Sequence, residues 1–211
     1  MVRLLLATRN PGKVREFRAL LAGIAGLELL TLDDVAPVPE VIEDGSSFEQ
    51  NACKKALEIA RASGLLVLAD DSGLEVDALA GRPGVHSARY AGTGASDADN
   101  NQKLVRELEQ SGVEPALRSA RYRVVLALAE PEGPLAHAPH LTQGVCEGSI
   151  RLEPRGANGF GYDPHFVPAG HERTMAELSP GEKNRISHRA QAAEQMRRFL
   201  AGYVPRRTPS L

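Results

Sequence analysis

Two adjacent aspartates follow a short apolar run in the first half of the chain. Residues 65–69 have the length and composition of a strand, and Asp70, Asp71, Ser72 and Gly73 come directly after it. In α/β proteins, polar side chains at the end of such a strand usually carry the chemistry. Since side chains alternate between the two faces of a strand, we expect at most one of the aspartates to hold a metal ion or a water molecule directly. The alternative is a charged turn with no catalytic role.

An acidic loop upstream of this strand supplies further carboxylates. Mg²⁺ prefers hard oxygen ligands and takes one or two protein carboxylates, with water and substrate phosphates in its other positions. Asp71 and Glu43 are suited to form that pair. Glu40 and Asp44 remain alternatives to Glu43, because the sequence does not determine how the loop folds back.

A polar segment near the N-terminus has the features of a phosphate-binding turn. It consists of Thr8, Arg9, Asn10, Pro11, Gly12 and Lys13. A helix that begins here offers free backbone N–H groups to a phosphate, beside a glycine, short polar side chains and a lysine. The spacing is not that of a Walker A loop. The alternative is a helix capped by Asn10 or Thr8, with Lys13 in solvent.

A glycine-rich segment in the second half contains two aromatic residues, in a chain with only five Phe, four Tyr and no Trp. It consists of Gly159, Phe160, Gly161, Tyr162, Asp163 and Pro164. The flat rings allow a nucleobase to stack, and Asp163 can accept hydrogen bonds from base N–H groups. The alternative is a turn whose aromatic rings belong to the core.

Basic side chains near a predicted helix start are suited to the same task. Lys183, His188 and Arg189 donate hydrogen bonds, so they suit a base with a carbonyl oxygen, whereas an exocyclic amino group would meet only other donors. The alternative is that Ser187 caps the helix and its basic neighbours lie in solvent.

The elements that must position these residues alternate along the chain. Hydrophobic periodicity and turn residues predict strands at 2–7, 27–32 and 65–69, and helices at 13–21 and 48–62. Ser46 and Glu49 have capping-box spacing before the second helix. Further along the chain, the same periodicity and turn residues predict a helix at 96–110 and partner strands at 119–130 and 143–153. They also predict a terminal helix at 187–203, before a frayed tail from about 205. The order begins βαβαβ and the later strands are expected to be antiparallel, so we predict an α/β fold with a mixed sheet.

Composition limits the classes of function. The chain has 211 residues, 42% hydrophobic and 25% charged, which suits one large domain or two closely joined lobes. The net charge of −2 provides no general attraction for nucleic acid or an anionic membrane, so neither is expected as a partner. Cys53 and Cys146 form no CxxC pair, and no apolar run reaches the length of a signal peptide or membrane span. These features predict a cytoplasmic protein.

Six motifs together resemble, in order, those of the inosine triphosphate pyrophosphatase family, also called non-canonical purine NTP pyrophosphatases or XTP/dITP diphosphatases. The resemblance extends from Leu4 to about Leu200. The motifs are Thr8-Arg9-Asn10-Pro11-Gly12-Lys13, Phe48-Glu49-Gln50-Asn51-Ala52, Ala69-Asp70-Asp71-Ser72-Gly73-Leu74, Gly84-Val85-His86-Ser87-Ala88-Arg89-Tyr90, Gly159-Phe160-Gly161-Tyr162-Asp163-Pro164 and Ser187-His188-Arg189.

The resemblance implies magnesium-dependent hydrolysis of ITP, XTP and dITP to the monophosphate and pyrophosphate. It implies one two-lobed domain over 1–211, an elongated mixed sheet with flanking helices and a nucleotide-binding cleft between the lobes, and a homodimer. It places Thr8, Asn10, Lys13 and Lys55 at the triphosphate, and Asp71 as general base and metal ligand with Ser72 beside it. Glu43 matches the second metal ligand less closely, and Arg9 departs from the glycine that is common at its position.

The resemblance also implies a base-recognition set. Its members are Phe160, Tyr162, Asp163, Lys183, His188 and Arg189. Two other functions remain open from the sequence: a Maf-like pyrophosphatase for modified pyrimidine nucleotides, and a nucleotide sensor without turnover.

Overall fold

A computed structural model describes residues 1–207 of the chain. The strands are β1 (Val2–Leu6), β2 (Leu27–Leu30), β3 (Leu66–Val76), β4 (Ser119–Ala129), β5 (His140–Ile150) and β6 (Phe166–Pro168). The helices are α1 (Pro11–Leu20), α2 (Phe48–Ser63), α3 (Asp97–Ser111), α4 (Pro180–Ile186) and α5 (His188–Arg207). No helix in the described part of the chain is long and apolar enough to cross a membrane.

The strands form one six-stranded sheet in the order β2-β1-β3-β4-β5-β6. β1 pairs in parallel with both β2 and β3, whereas β5 pairs antiparallel with β6. The predicted α/β fold with a mixed sheet is therefore confirmed. The predicted partner strands are neighbours as β4 and β5, although β5 begins at His140, three residues before its predicted start.

The chain divides into two compact units. The first unit contains Met1–Asp71, Val124–Gln143 and the chain from Ala190 onward, and the second contains Ser72–Arg123 and Gly144–Arg189. The first has a core built from β1, β3, β4 and the helices α1 and α5, in which Leu4, Leu6, Phe17 and Leu68 are almost fully buried.

The second unit has a core of its own. Leu74, Leu104 and Phe166 have no exposed surface there, and Tyr122 packs against Phe166 with the ring centroids 4.6 Å apart. Each unit therefore has its own buried apolar cluster to support the polar side chains that it carries.

Strand β3 is longer than predicted. Instead of ending at residue 69, it continues through both aspartates to Val76, with Leu74 and Val76 fully buried. Asp70 and Asp71 therefore lie inside a strand, and the alternative of a charged turn is wrong. The strand tolerates two buried carboxylates because lysine and amide groups from other elements contact them, as described below.

The start of α1 differs from prediction by two residues, and the capping residue of α2 differs by one. α1 begins at Pro11, because proline has no N–H to leave unsatisfied in the first helical turn. In α2 the capping residue is Ser47, whose side chain accepts from Gln50 N at 3.2 Å, while Ser46 binds the Gln50 side chain. The helix predicted from residue 96 begins at Asp97, with Ser96 as its capping residue.

The C-terminal helices also differ from prediction. The short helix α4 was not predicted, and Ser187 lies between it and α5, which begins at His188. α5 continues to Arg207, so the predicted frayed tail does not begin at 205. The last part of that tail, residues 208–211, lies outside the described residues.

Candidate functional site

The polar segment before α1 forms a helix cap. The Asn10 side chain accepts from Gly12 N at 2.8 Å and Lys13 N at 3.1 Å, and Thr8 Oγ1 accepts from Asn10 N at 3.2 Å. The predicted alternative of a cap by Asn10 is confirmed. Arg9 and Pro11 are exposed.

Lys13 does not lie in solvent. Its Nζ donates to Asp70 Oδ1 at 2.8 Å, and the Asp70 side chain has no exposed surface. A buried carboxylate without a cationic neighbour would cost several kcal/mol, so this pair explains how β3 accommodates Asp70. It also gives Asp70 a role distinct from that of Asp71: Asp70 holds the lysine of the first motif in place.

Asp71 is buried and its Oδ2 accepts from Asn51 Nδ2 at 2.9 Å. The pKa of Asp71 is raised to about 6, mainly by burial and further by the charge of Glu43. The hydrogen bond from Asn51 and the charges of Lys13 and Lys55 act to lower it. A carboxyl group with a pKa close to neutrality can exchange a proton at physiological pH, which is typical of a general base.

Glu43 is the acidic-loop residue whose negative charge raises the pKa of Asp71. It forms an ion pair with Lys55 through its Oε1, and both side chains are largely buried. Burial acts to lower the pKa of Lys55, but the charges of Asp70, Glu43 and Asp71 outweigh this and raise it, so the ammonium remains charged. Glu40 and Asp44 are exposed, whereas Glu43 is close enough to Asp71 to raise its pKa, which favours Glu43 among the three alternatives.

Asn51 was not predicted as a site residue. It is fully buried on α2, and its Oδ1 accepts from Gly45 N at 2.7 Å while its Nδ2 holds Asp71. A Cβ at position 45 would lie 2.7 Å from Asn51 Oδ1, so the glycine lets the loop approach the amide. The sequence contains two signals for Asn51: it lies in the second of the six motifs, and it precedes Lys55 by four residues, so the two share a helix face.

These residues form what we call the Asp71 cluster. It consists of Lys13, Glu43, Asn51, Lys55, Asp70 and Asp71, all in the first unit. No group of three or more His, Cys, Asp and Glu side chains within residues 1–207 is arranged to hold a metal ion. Mg²⁺ requires only one or two protein carboxylates, and the cluster offers Asp71 and Glu43 together with two lysines.

The second unit carries the aromatic and basic residues. Asp163 Oδ2 accepts from Phe160 N at 3.0 Å and from Lys183 Nζ at 2.5 Å. Lys183 Nζ lies 4.7 Å from the centre of the Phe160 ring, and the Arg189 guanidinium lies 5.6 Å from it. Arg189 also donates to Ser72 Oγ at 3.0 Å.

We call this group the Phe160 cluster. It consists of Ser72, Phe160, Asp163, Lys183 and Arg189, all in the second unit. Lys183 and Arg189 are almost completely buried. The alternative that placed the basic side chains in solvent is therefore wrong.

His188 and Tyr162 belong to the core beside this cluster. His188 is buried and stacks on Tyr122, with ring centroids 4.8 Å apart and an angle of 10° between the planes. Tyr162 is buried as well, and its hydroxyl donates to the carbonyl of Ser87 at 2.8 Å. Of the two aromatic residues in the glycine-rich segment, Phe160 is the more exposed, so its ring is better placed to meet a ligand.

The sequence and the fold place the chain in a known class of proteins. The chain belongs to the Ham1 family, whose model matches residues 4–199. This confirms the resemblance predicted from the six motifs.

Individual relatives extend over most of the chain. A dITP/XTP pyrophosphatase of Syntrophobacter fumaroxidans is 54% identical over 92% of this chain and 80% of its own length. A dITP/XTP pyrophosphatase of Bacillus licheniformis is 49% identical over 95% of this chain and 98% of its own. The solved structure of a HAM1 protein from Coxiella burnetii has a TM-score of 0.85 at 44% identity, covering 96% of this chain and 100% of that one.

Proposed function

We propose that this protein hydrolyses the triphosphates of non-canonical purine nucleosides, dITP, ITP and XTP, to the monophosphate and pyrophosphate. Family membership and relatives named dITP/XTP pyrophosphatase support this. The observation that carries the mechanism is Asp71, a buried carboxylate with a pKa of about 6 in the same cluster as two lysines.

Asp71 is the general base in this proposal. The pKa of about 6 leaves its carboxylate ionised at neutral pH, so it can accept a proton from an attacking water molecule. Asn51 fixes one of its oxygens through a hydrogen bond of 2.9 Å. The attack on phosphorus needs no covalent nucleophile, only an oriented water molecule and cationic groups that stabilise the developing negative charge.

Lys13 and Lys55 supply positive charge for the phosphate oxygens. Both ammonium groups already contact carboxylates, Lys13 through Asp70 and Lys55 through Glu43. These contacts hold the side chains in place before substrate binds, which reduces the entropy lost on binding. Thr8, Asn10 and Gly12 shape the turn that places Lys13 at the start of α1. The backbone N–H groups of Gly12 and Lys13 are already bound by Asn10 Oδ1, so the lysine side chain supplies the positive charge here.

We propose Mg²⁺ as the cofactor, held by Asp71 and Glu43. The donor set fits, since both groups are hard oxygen ligands and the charge of Glu43 contributes to the raised pKa of Asp71, a repulsion that a divalent cation relieves. When bound, Mg²⁺ neutralises phosphate charge and orients phosphate oxygens.

The Phe160 cluster is proposed to recognise the base. The Phe160 ring provides a stacking surface, while Lys183 and Arg189 offer donors to the 6-oxo group of hypoxanthine or xanthine. Adenine carries an amino group at that position and would leave buried donors unpaired, which can cost a factor of roughly 10⁴ in discrimination. Asp163 holds Lys183, and His188 supports the cluster by stacking on Tyr122.

The deciding experiment is a substrate panel with Mg²⁺, in which dITP, XTP, dATP and a modified pyrimidine triphosphate are compared and pyrophosphate is measured against orthophosphate. We expect pyrophosphate from dITP and XTP. Orthophosphate as the sole inorganic product would contradict the proposal. Preference for the pyrimidine would favour a Maf-like activity, and tight binding without turnover would favour a nucleotide sensor.

Assembly and location are part of the same proposal. We infer a homodimer from the family resemblance, to be tested by light scattering of the purified protein. We infer a cytoplasmic location from the nucleotide substrate and from Cys53 and Cys146, neither of which forms a disulfide. Fractionation of the host cell tests this location.

A further inference from the structure

Helix α3 holds the glycine-rich turn at Gly161. Asp97 Oδ2, in the first turn of α3, accepts from Gly161 N at 2.6 Å. Asn101 Nδ2, four residues later on the same helix face, donates to Gly161 O at 2.9 Å. Both polar groups of one residue are therefore bound by one helix.

The amide of Asn101 is oriented for this contact. Its Oδ1 is buried and has no hydrogen-bond partner within the described part of the chain. Rotating the amide by half a turn would place Oδ1 against the Gly161 carbonyl and break the contact, so the donor must face Gly161. A buried acceptor without a partner costs free energy, and its retention points to a role for the donor on the same side chain.

The turn that α3 holds carries the Phe160 ring. Within it, Asp163 Oδ2 binds Phe160 N, and a Cβ at Gly159 would lie 1.9 Å from that same oxygen. Gly161 has a φ of +62°, a conformation that favours glycine. Since Gly161 follows Phe160 directly, fixing its peptide groups also fixes the backbone from which the ring projects.

We propose that Asp97 and Asn101 are positioning residues for base recognition, which they serve by binding both polar groups of Gly161 and so holding Phe160 and Asp163 in place. This inference rests on the proposed function, because it assumes that the Phe160 cluster receives the purine base. Neither residue belongs to the motifs identified in the sequence, and neither is expected to touch the substrate.

The test compares Asp97→Ala, Asn101→Ala and the double variant with wild type. The measurements are kcat and KM for dITP, the dissociation constant of dIMP, and inhibition by tripolyphosphate, which has no base. In the double variant we expect KM for dITP and the dissociation constant of dIMP to rise about tenfold, as for the loss of one charge-assisted hydrogen bond. Inhibition by tripolyphosphate should stay within about twofold of wild type.

Two further variants separate positioning from stability. Asp99 belongs to the capping box at the start of α3 and is not bonded to Gly161, so Asp99→Ala should lower the melting temperature without changing KM. Asp97→Asn keeps an oxygen that can accept from Gly161 N, so it should restore part of the affinity for dIMP. Unchanged dIMP affinity in a folded double variant would overturn the proposal, as would an equal loss of tripolyphosphate binding.

Hydrogen exchange tests the positioning without reference to activity. The amide of Gly161 should exchange about tenfold faster in the double variant than in Asp99→Ala, and unchanged protection would overturn the inference. If wild type neither binds dIMP nor hydrolyses dITP, the proposed function fails and the base-recognition role with it. Faster exchange of Gly161 would in that case still support the contact between α3 and the turn.

Discussion

Asn51 Nδ2 donates to Asp71 Oδ2 across 2.9 Å, and both side chains are buried. The hydrogen bond opposes the effect of burial on the pKa of Asp71, which nevertheless rises to about 6. Asn51 thus limits the rise and holds the carboxylate in one orientation. The same amide binds the loop at Gly45, so the position of the carboxylate depends on two elements besides its own strand.

Asp71→Asn should abolish hydrolysis of dITP while leaving nucleotide binding in place. The amide keeps the size of the carboxyl group but cannot act as a general base, so we expect kcat to fall by at least about 10²-fold. Steady-state kinetics measure kcat, and calorimetric titration with a nucleotide measures binding. A variant with wild-type kcat would remove Asp71 from the mechanism.

The same substitution should make the metal-free protein more stable at neutral pH. The folded pKa of Asp71 is about 6 against 3.8 for an unperturbed carboxyl, so this group favours folding most when protonated below 3.8 and loses that contribution as pH rises through 6. The loss corresponds to about 3 kcal/mol of unfolding free energy. Urea denaturation in EDTA should give the variant a larger unfolding free energy than wild type at pH 7. The difference should shrink towards about pH 4.

Gly45→Ala should lower kcat by displacing Asn51. The added Cβ would lie 2.7 Å from Asn51 Oδ1 and 2.8 Å from Gln50 Cβ, so the loop or the amide must shift. We expect about a tenfold loss of kcat, because displacement of a supporting side chain by a fraction of an ångström is costly in catalysis. Gly202→Ala is the matched control, since a Cβ there meets nothing within 4 Å. Equal kcat values for the two variants would argue against a role for the Gly45 contact.

Lys13→Met should destabilise the protein as well as weaken phosphate binding. It removes the ammonium that binds the buried Asp70 at 2.8 Å, and breaking such a pair typically costs about 3 kcal/mol. Adding Asp70→Asn removes the buried charge and should restore most of the unfolding free energy. Tripolyphosphate binding should remain weak in both variants. If the second substitution restored nothing, the pair would not be the source of the loss.

The motif residues were predictable because their side-chain types indicate the chemistry that they can perform. Lysines next to a helix start, adjacent aspartates and a glycine-rich aromatic turn are each unusual enough to be noticed, and their order indicated the family. The boundaries of β3 were not predictable, since two aspartates after an apolar run look like the end of a strand until Lys13 and Asn51 are known to contact them.

Contacts between distant residues account for what was missed. Asn51 lies in the second motif, but its role was not predictable because its partners lie six and 20 positions away along the chain. Asn101 binds a residue 60 positions away, and nothing in its own helix indicates that contact. A side chain such as Asn101, which supports a site through a tertiary hydrogen bond, leaves no local pattern that indicates its partner.

The boundaries between the two units fall inside β3, β4, β5 and α5, between residues 71 and 72, 123 and 124, 143 and 144, and 189 and 190. No single truncation therefore yields either unit as a continuous polypeptide. Isolating one unit would require cutting four regular elements and rejoining their ends. For protein engineering, insertions and fusion points belong in the loops outside these elements. The shortest continuous segment that contains a whole unit, residues 72–189, also includes residues 124–143 of the other unit.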